Sequence, residues 1–270
     1  MSGPSVARSR GPAARPTTAR DVMLVLLAAA AGCVDAASFL GLGQVMTAAM
    51  TGNTVLLGLA LGQADAEGAL RATVALTGFV AGALVGATIV DRGPSGVIWA
   101  PAVTAALALE LVVLVALALA WHVLEGGPAW SIDYRHPLIA AAGVAMGIQS
   151  AAAQRVGVPG VTTTYVTGTL TTMAARLVGW LRSSPAAPGD RVRDIGAPWL
   201  QAGVWIAYGA GAVFAGAAHL WWPTVALPSG VAGLAGEVRW PSAALLLPIT
   251  IVAAVILIAA LVYRRRPASA

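Results

Sequence analysis

Two carboxylates fall well inside long apolar stretches of this chain, Asp35 and Glu110. An ionised acid at the centre of a bilayer costs at least about 2.5 kcal/mol on insertion scales and more in simulations. A group that expensive is a candidate for handling a proton or a cation. The plainer role is an ion pair or hydrogen bond that fixes helix packing. For Asp35 the partner to test is Arg155, placed at a nearby depth on the equivalent helix of the second half. Glu110 has no comparable partner in the sequence.

Two polar stretches carry a second kind of chemistry. One runs from Gln44-Val45-Met46-Thr47 through Thr51-Gly52-Asn53, the other from Pro159-Gly160-Val161-Thr162-Thr163-Thr164 through Thr167-Gly168-Thr169. Pro, Gly and repeated Thr disfavour helix. A short helix of about a dozen residues is expected after each, with Thr51 or Asn53, and Thr167 or Thr169, as N-caps. A helix that begins inside a membrane presents unpaired N–H groups at its start. Those groups and the helix dipole favour an anion or a polar carbonyl. Irregular backbone at that depth is tolerated only inside protein or around a wet cavity. The hydroxyls of Thr47, Thr51, Thr163, Thr164 and Thr167 and the amide of Asn53 would line such a site. Two related stretches, one per half, are expected to meet near a pseudo-symmetry axis, as in many transporters. Close packing by small residues explains the glycines as well, but not the clustering of polar residues in both halves. With Ser38, Gly52, Gln149, Gly168 and Thr169, these residues, the two acids and Arg155 form the candidate binding or gating set.

The elements that hold them are read from composition. The chain has 270 residues, 58% hydrophobic and 10% charged, against a usual charged share of about 25%. That is too little charge to cover a soluble protein and too much apolar content for a disordered one. The expected fold is an all-α polytopic transmembrane bundle. Eight apolar segments stand out, at about 22–42, 46–62, 70–90, 97–121, 137–157, 161–181, 198–220 and 241–263. Most reach the roughly 20 residues that cross a 30 Å hydrocarbon layer. The second and sixth are the discontinuous ones. Residues 1–20, rich in Ser, Pro, Ala and Arg, read as a disordered cytoplasmic tail. The apolar run after it passes any plausible cleavage site, so it reads as an uncleaved first helix.

An internal repeat divides the chain into a first membrane half at 21–121, a linker at 122–136 and a second half at 137–263, before a short tail at 264–270. Gly32-Cys33-Val34-Asp35 aligns with Gly147-Ile148-Gln149-Ser150, Thr51-Gly52-Asn53 with Thr167-Gly168-Thr169, and Phe79-Val80-Ala81-Gly82 with Tyr208-Gly209-Ala210-Gly211. An even number of crossings per half makes the halves parallel and an odd number makes them inverted. Four and four is the favoured division.

All 16 basic residues are arginine. They cluster in the N-terminal tail, around Arg182, Arg191 and Arg193, and at Arg264, Arg265 and Arg266, each beside an apolar stretch. That is the pattern of cytoplasmic anchors under the positive-inside rule, not of a phosphate-binding patch, so nucleic acid is not an expected partner. With eight crossings Arg92, Arg155 and Arg239 lie outside, and with six Arg71, Arg135 and Arg239 do. Either way both termini are cytoplasmic and the count does not choose between the two.

The remaining features are bland. The single cysteine, Cys33, excludes an internal disulfide and a multi-thiolate metal site. His122, His136 and His219 share no ligand spacing, and no nucleotide, dinucleotide or hydrolase motif occurs, so no cofactor, metal or enzymatic activity is expected. Gly78, Gly82 and Gly86, and Gly209, Gly211 and Gly216, are expected to pack helices closely. Trp121, Trp199, Trp221, Trp222 and Trp240 are expected in an interfacial belt.

Gly32, Asp35, Ala36, Ser38, Phe39 and Leu40, then Thr47 and Met50-Thr51-Gly52-Asn53, resemble the YoaK-like family of bacterial membrane proteins of unknown function. Met146-Gly147-Ile148-Gln149 and the run Thr163 to Thr171 are also similar to that family, and the resemblance covers most of 20–265. The chain has Met46 where the family often has Phe, and Ala49 and Ser150 where it often has Asn, so no polar role carries over to the last two. The resemblance implies a multi-pass inner-membrane protein and supplies no substrate. The expected function is a secondary transporter or permease of a small polar or anionic solute, with the lipid bilayer as its surroundings and Asp35 as coupling or gating acid. A non-transporting scaffold, assembly factor or lipid-interacting subunit is the alternative.

Overall fold

The computed structural model describes residues 15–94, 97, 99–125, 132–156, 166–182, 188–221, 224–225, 238–239 and 243–263. Eight α-helices are described: α1 (Arg15–Gly41), α2 (Met50–Gly62), α3 (Ala66–Val90), α4 (Pro101–Glu125), α5 (Ile132–Arg155), α6 (Val166–Arg182), α7 (Pro188–Trp221) and α8 (Leu246–Tyr263). A pair of two-residue strands, β1 (Thr224–Val225) and β2 (Val238–Arg239), runs antiparallel before α8. Helix α1 starts five residues inside the stretch read as a disordered tail. Helix α7 extends ten residues ahead of its apolar segment and takes in Arg191 and Arg193.

Among the described residues, six helices are long and apolar enough to cross a membrane: Thr18–Gly41, Ala66–Val90, Pro101–Leu124, Tyr134–Arg155, Trp199–Leu220 and Leu246–Tyr263. Helix α2, with 13 residues, is only about 20 Å long and cannot span a 30 Å core. The lipid-facing hydroxyls of Thr73, Thr77 and Thr88 on α3 donate back to the carbonyls of Ala69, Thr73 and Leu84 at 2.8–3.0 Å, so these polar residues stay satisfied without water.

The two largest interfaces join α3 to α5 and α1 to α7. Both are made by glycines that bring backbone against backbone. A Cβ at Gly78 would lie 2.7 Å from the Ala140 carbonyl oxygen, and one at Gly143 would lie 2.9 Å from that of Ala75. Gly82 and Gly147 rest in the same way on Val144 and Phe79, and Gly211 and Gly32 on Ala29 and Tyr208. The expected packing role therefore holds at Gly78, Gly82, Gly86 and Gly211, whereas Gly209 and Gly216 face open space.

These contacts fix the directions of the helices. Along α3 and α5, Gly78, Gly82 and Gly86 meet Ala140, Val144 and Ile148 in rising order, so the two run parallel. So do α1 and α7, where Gly203 meets Val25 and Gly211 meets Ala29 and Cys33. The end of α1 lies beside the beginning of α3, since Gly43 abuts the Arg71 side chain. Cys33, late in α1, donates to the carbonyl of Ala244 just before α8, and Trp99 before α4 stacks on Tyr263 at the end of α8. Thus α1, α4 and α7 point one way and α3, α5 and α8 the other.

Because α1 ends on the face where α3 begins, α2 returns to the face it left. The favoured four crossings per half are corrected to three. The correction turns on length and direction: the segment after α1 is polar and folded back, leaving too few helical residues to cross. Helices α1, α3 and α4 therefore run in turn opposite to α5, α7 and α8. Trp121, expected at an interface, is instead fully buried.

Candidate functional site

Helix α1 ends in a left-handed turn. Gly43 has φ 91° and Gln44 φ 63°, and the Gln44 N–H donates to the Phe39 carbonyl at 3.0 Å. This reverses the chain and sends residues 45–49 back along α1, where they meet Asp35. One carboxylate oxygen accepts from the backbone N–H of Thr47 and of Ala48, both at 2.6 Å, and the other from that of Ala49 at 3.0 Å. The Tyr208 hydroxyl of α7 donates to the second oxygen. Asp35 lies six residues before Gly41, so α2 begins about 9 Å inside the bundle.

Asp35 therefore holds the N–H groups of the three residues that lead into α2, ahead of its first turn. The residue ahead of α2 is Ala49, whose side chain offers no acceptor. The expected caps are corrected accordingly. Thr51 is exposed and Asn53 sits within the first turn. Asn53 instead closes the loop, its amide oxygen accepting from the Met46 N–H at 3.0 Å and its NH₂ donating to the Met46 carbonyl. The hydroxyls of Ser38 and Thr47 lie 3.4 Å apart. Asp35, Ser38, Thr47 and Asn53 are each at most 5% exposed. The structure thus brings these four together, with Gly52 beside Met46.

The other predicted residues lie elsewhere. The Gln149 NH₂ on α5 donates to the Leu27 carbonyl of α1 at 3.0 Å. Arg155 does not pair with Asp35. Its guanidinium donates to the carbonyls of Val90, Gly93 and Pro94 at 2.9–3.4 Å, because α5 runs parallel to α3 and ends beside it, on the face away from the end of α1. Glu110, in mid-α4, is fully buried and neither of its oxygens has a hydrogen-bond partner. Thr163 and Thr164 lie outside the described residues. Thr167, Gly168 and Thr169 fall in the first turn of α6, where Gly168 is exposed.

The second polar stretch lies largely outside the described residues, at 159–165. Among the described residues, α2 packs on α3 and α6 on α7. Helix directions place α2 on the face where α1 ends and α6 on the face where α5 ends. The residue missed in the sequence is Tyr208. Its signal was a hydroxyl at the position aligned with Phe79. The backbone donors of Thr47, Ala48 and Ala49 carry no side-chain signal at all.

A family model described as a protein of unknown function (DUF1275) matches residues 23–238. The UPF0700 transmembrane protein YoaK of Bacillus subtilis (strain 168) is 38% identical over 162 residues, which cover 60% of this chain and 69% of that protein. No solved structure matches.

Proposed function

The chain belongs to the DUF1275 family, whose function is unknown, and is a multi-pass membrane protein; on that footing we propose that it is a secondary transporter or permease of a small polar or anionic solute. The observation that carries the reading is the start of α2, where three consecutive backbone N–H groups inside the bundle hold a carboxylate. An amide cluster at a helix N-terminus is an anion site, and here Asp35 fills it from within the chain. In the proposed cycle α1 and α2 part, and the carboxylate of a solute takes the place of Asp35. Equivalent spans that run in opposite directions, each with a short helix after its first span, are the common plan of transporters that open alternately to the two faces.

The reading is non-enzymatic and places both termini in the cytoplasm of a bacterial inner membrane. Helix directions put Arg71, Arg135 and Arg239 on the face where α1 ends, and Arg15, Arg20, Arg92, Arg155, Arg191 and Arg193 on the other. The positive-inside rule makes the second face cytoplasmic.

A non-transporting scaffold or lipid-interacting subunit is the second reading, and a specific observation favours it. Asp35, Thr47 and Asn53 satisfy their groups within the protein and are buried, as a packing device would be. One screen separates the two. Purified protein is melted with and without small anions, amino acids and metabolites, and each compound that raises the melting temperature is tested for uptake into proteoliposomes. A ligand at 100 times its Kd adds about 2.7 kcal/mol of stability. Transport predicts a stabilising anion that is taken up. Stabilisation by no compound, or by a compound that is not taken up, supports the scaffold.

A further inference from the structure

Glu110 stands apart from the Asp35 cluster. It lies nine residues into α4, about 14 Å along the helix from Pro101, and faces inward with Leu107 and Leu114, which are also fully buried. Neither carboxyl oxygen has a hydrogen-bond partner. The elements packed on α4 are α5, α8, α3, β2 and the 3-10 turn Ala243–Leu245. They supply no ionisable side chain at its depth. Helix α8 carries only Tyr263, at its end. Helix α5 has Asp133, Tyr134, Arg135 and His136 near its start and Arg155 at its end, the last engaged with carbonyls. Helix α3 has Glu67 and Arg71 at its start and no other ionisable group. Arg239 of β2 lies at the face where α8 begins.

A carboxylate in that position loses its water and gains no donor, counter-charge or dipole in return. Each such loss costs several kcal/mol. A bound metal cation would need several oxygen ligands, and among the described residues no three His, Cys, Asp or Glu side chains group to hold one. A proton meets the need with a single bond.

We propose that Glu110 is a proton-binding site. In the packing seen here the side chain is a neutral acid, and it releases its proton only when α4 separates from α5 or α8 far enough for water to enter. Charge on Glu110 and the packing of α4 are then linked: each stabilises or destabilises the other by the same amount. Where the transport reading holds, Glu110 rather than Asp35 is the group on which a proton gradient acts; the proton site itself does not depend on that reading.

Infrared spectroscopy of the full-length protein in lipid tests this without knowledge of any solute. Wild type at neutral pH is expected to show the carbonyl stretch of a protonated carboxyl in an apolar setting, shifted on transfer to D₂O. The band is expected to vanish in Glu110→Gln, to move in frequency in Glu110→Asp, and to persist in Asp35→Asn. Absence of the band from wild type, its survival unchanged in both Glu110 variants, or its loss in Asp35→Asn alone would overturn the assignment. Should Glu110→Gln fail to fold, the frequency change in Glu110→Asp decides. A band that never shifts in D₂O shows a proton sealed from solvent, and overturns exchange with water.

Discussion

The junction of α1 with α7 and that of α5 with α3 are built on one contact and furnished differently. In the first, Gly32 rests on the backbone of Tyr208; in the second, Gly147 rests on that of Phe79, at the aligned position. The backbone requirement is the same in both, because only a residue without Cβ lets two helices approach that closely. The polar furnishing differs. Beside Gly32 stand an acid, Asp35, and a phenol, Tyr208, in direct contact. Beside Gly147 the aligned residues are Ser150 and Phe79, and the added polar group is Gln149, which reaches across to Leu27. Close packing is thus common to the two junctions, and at the aligned positions Asp35 and Ser150 only the first carries an acid.

The sharpest way to break this comparison is to fill the shared contact. Gly32→Val and Gly147→Val each force a side chain into a neighbouring backbone that cannot rotate away. Each is expected to cost more than about 3 kcal/mol, seen as loss of the monodisperse peak after extraction. Tolerance of one but not the other would show that the two junctions are not mechanically alike.

A smaller but more discriminating effect comes from the polar positions. Asp35→Ala strips three buried N–H groups of their acceptor, at about 1–3 kcal/mol each. A loss of roughly 3 kcal/mol or more is expected in denaturant unfolding, against about 1 kcal/mol for Ser150→Ala. Equal losses would mean that the acid has no special place in the fold.

A smaller effect than that of Asp35→Ala is expected of Tyr208→Phe, which makes the first junction resemble the second. It removes one hydrogen bond to a carboxylate and leaves the ring in place, so about 1.5–3 kcal/mol is expected. The melting temperature should fall while the elution profile is unchanged. No change in melting temperature would detach Tyr208 from the Asp35 cluster.

Much of this could be read from the chain. The break after α1 was legible because Gln44 to Asn53 is polar and carries Gly and Thr where an apolar helix should continue. The two acids were legible because each is the one charged residue within its apolar run, 22–42 and 97–121. What filled the break was not legible. Asp35 is joined to Thr47, Ala48 and Ala49 across 12–14 residues, and only the reversal at Gly43 and Gln44 brings them together. The Tyr208 contact spans 173 residues, far beyond any local pattern. The pairing of Asp35 with Arg155 failed for a related reason: α1 and α5 run in opposite directions, so residues near their C-terminal ends lie toward opposite faces.

By itself the sequence settled the class of the molecule. With 10% charged residues, the chain can satisfy its surface only in lipid, and its apolar runs are long enough for helices and too regular for anything else. Six crossings against eight was beyond it, since the arginines divide equally well in both. The direction of each helix decided that, through backbone contacts at glycine. Composition is summed over residues and survives any rearrangement of the chain. Direction and pairing belong to the packed whole, and exist only once distant segments have met.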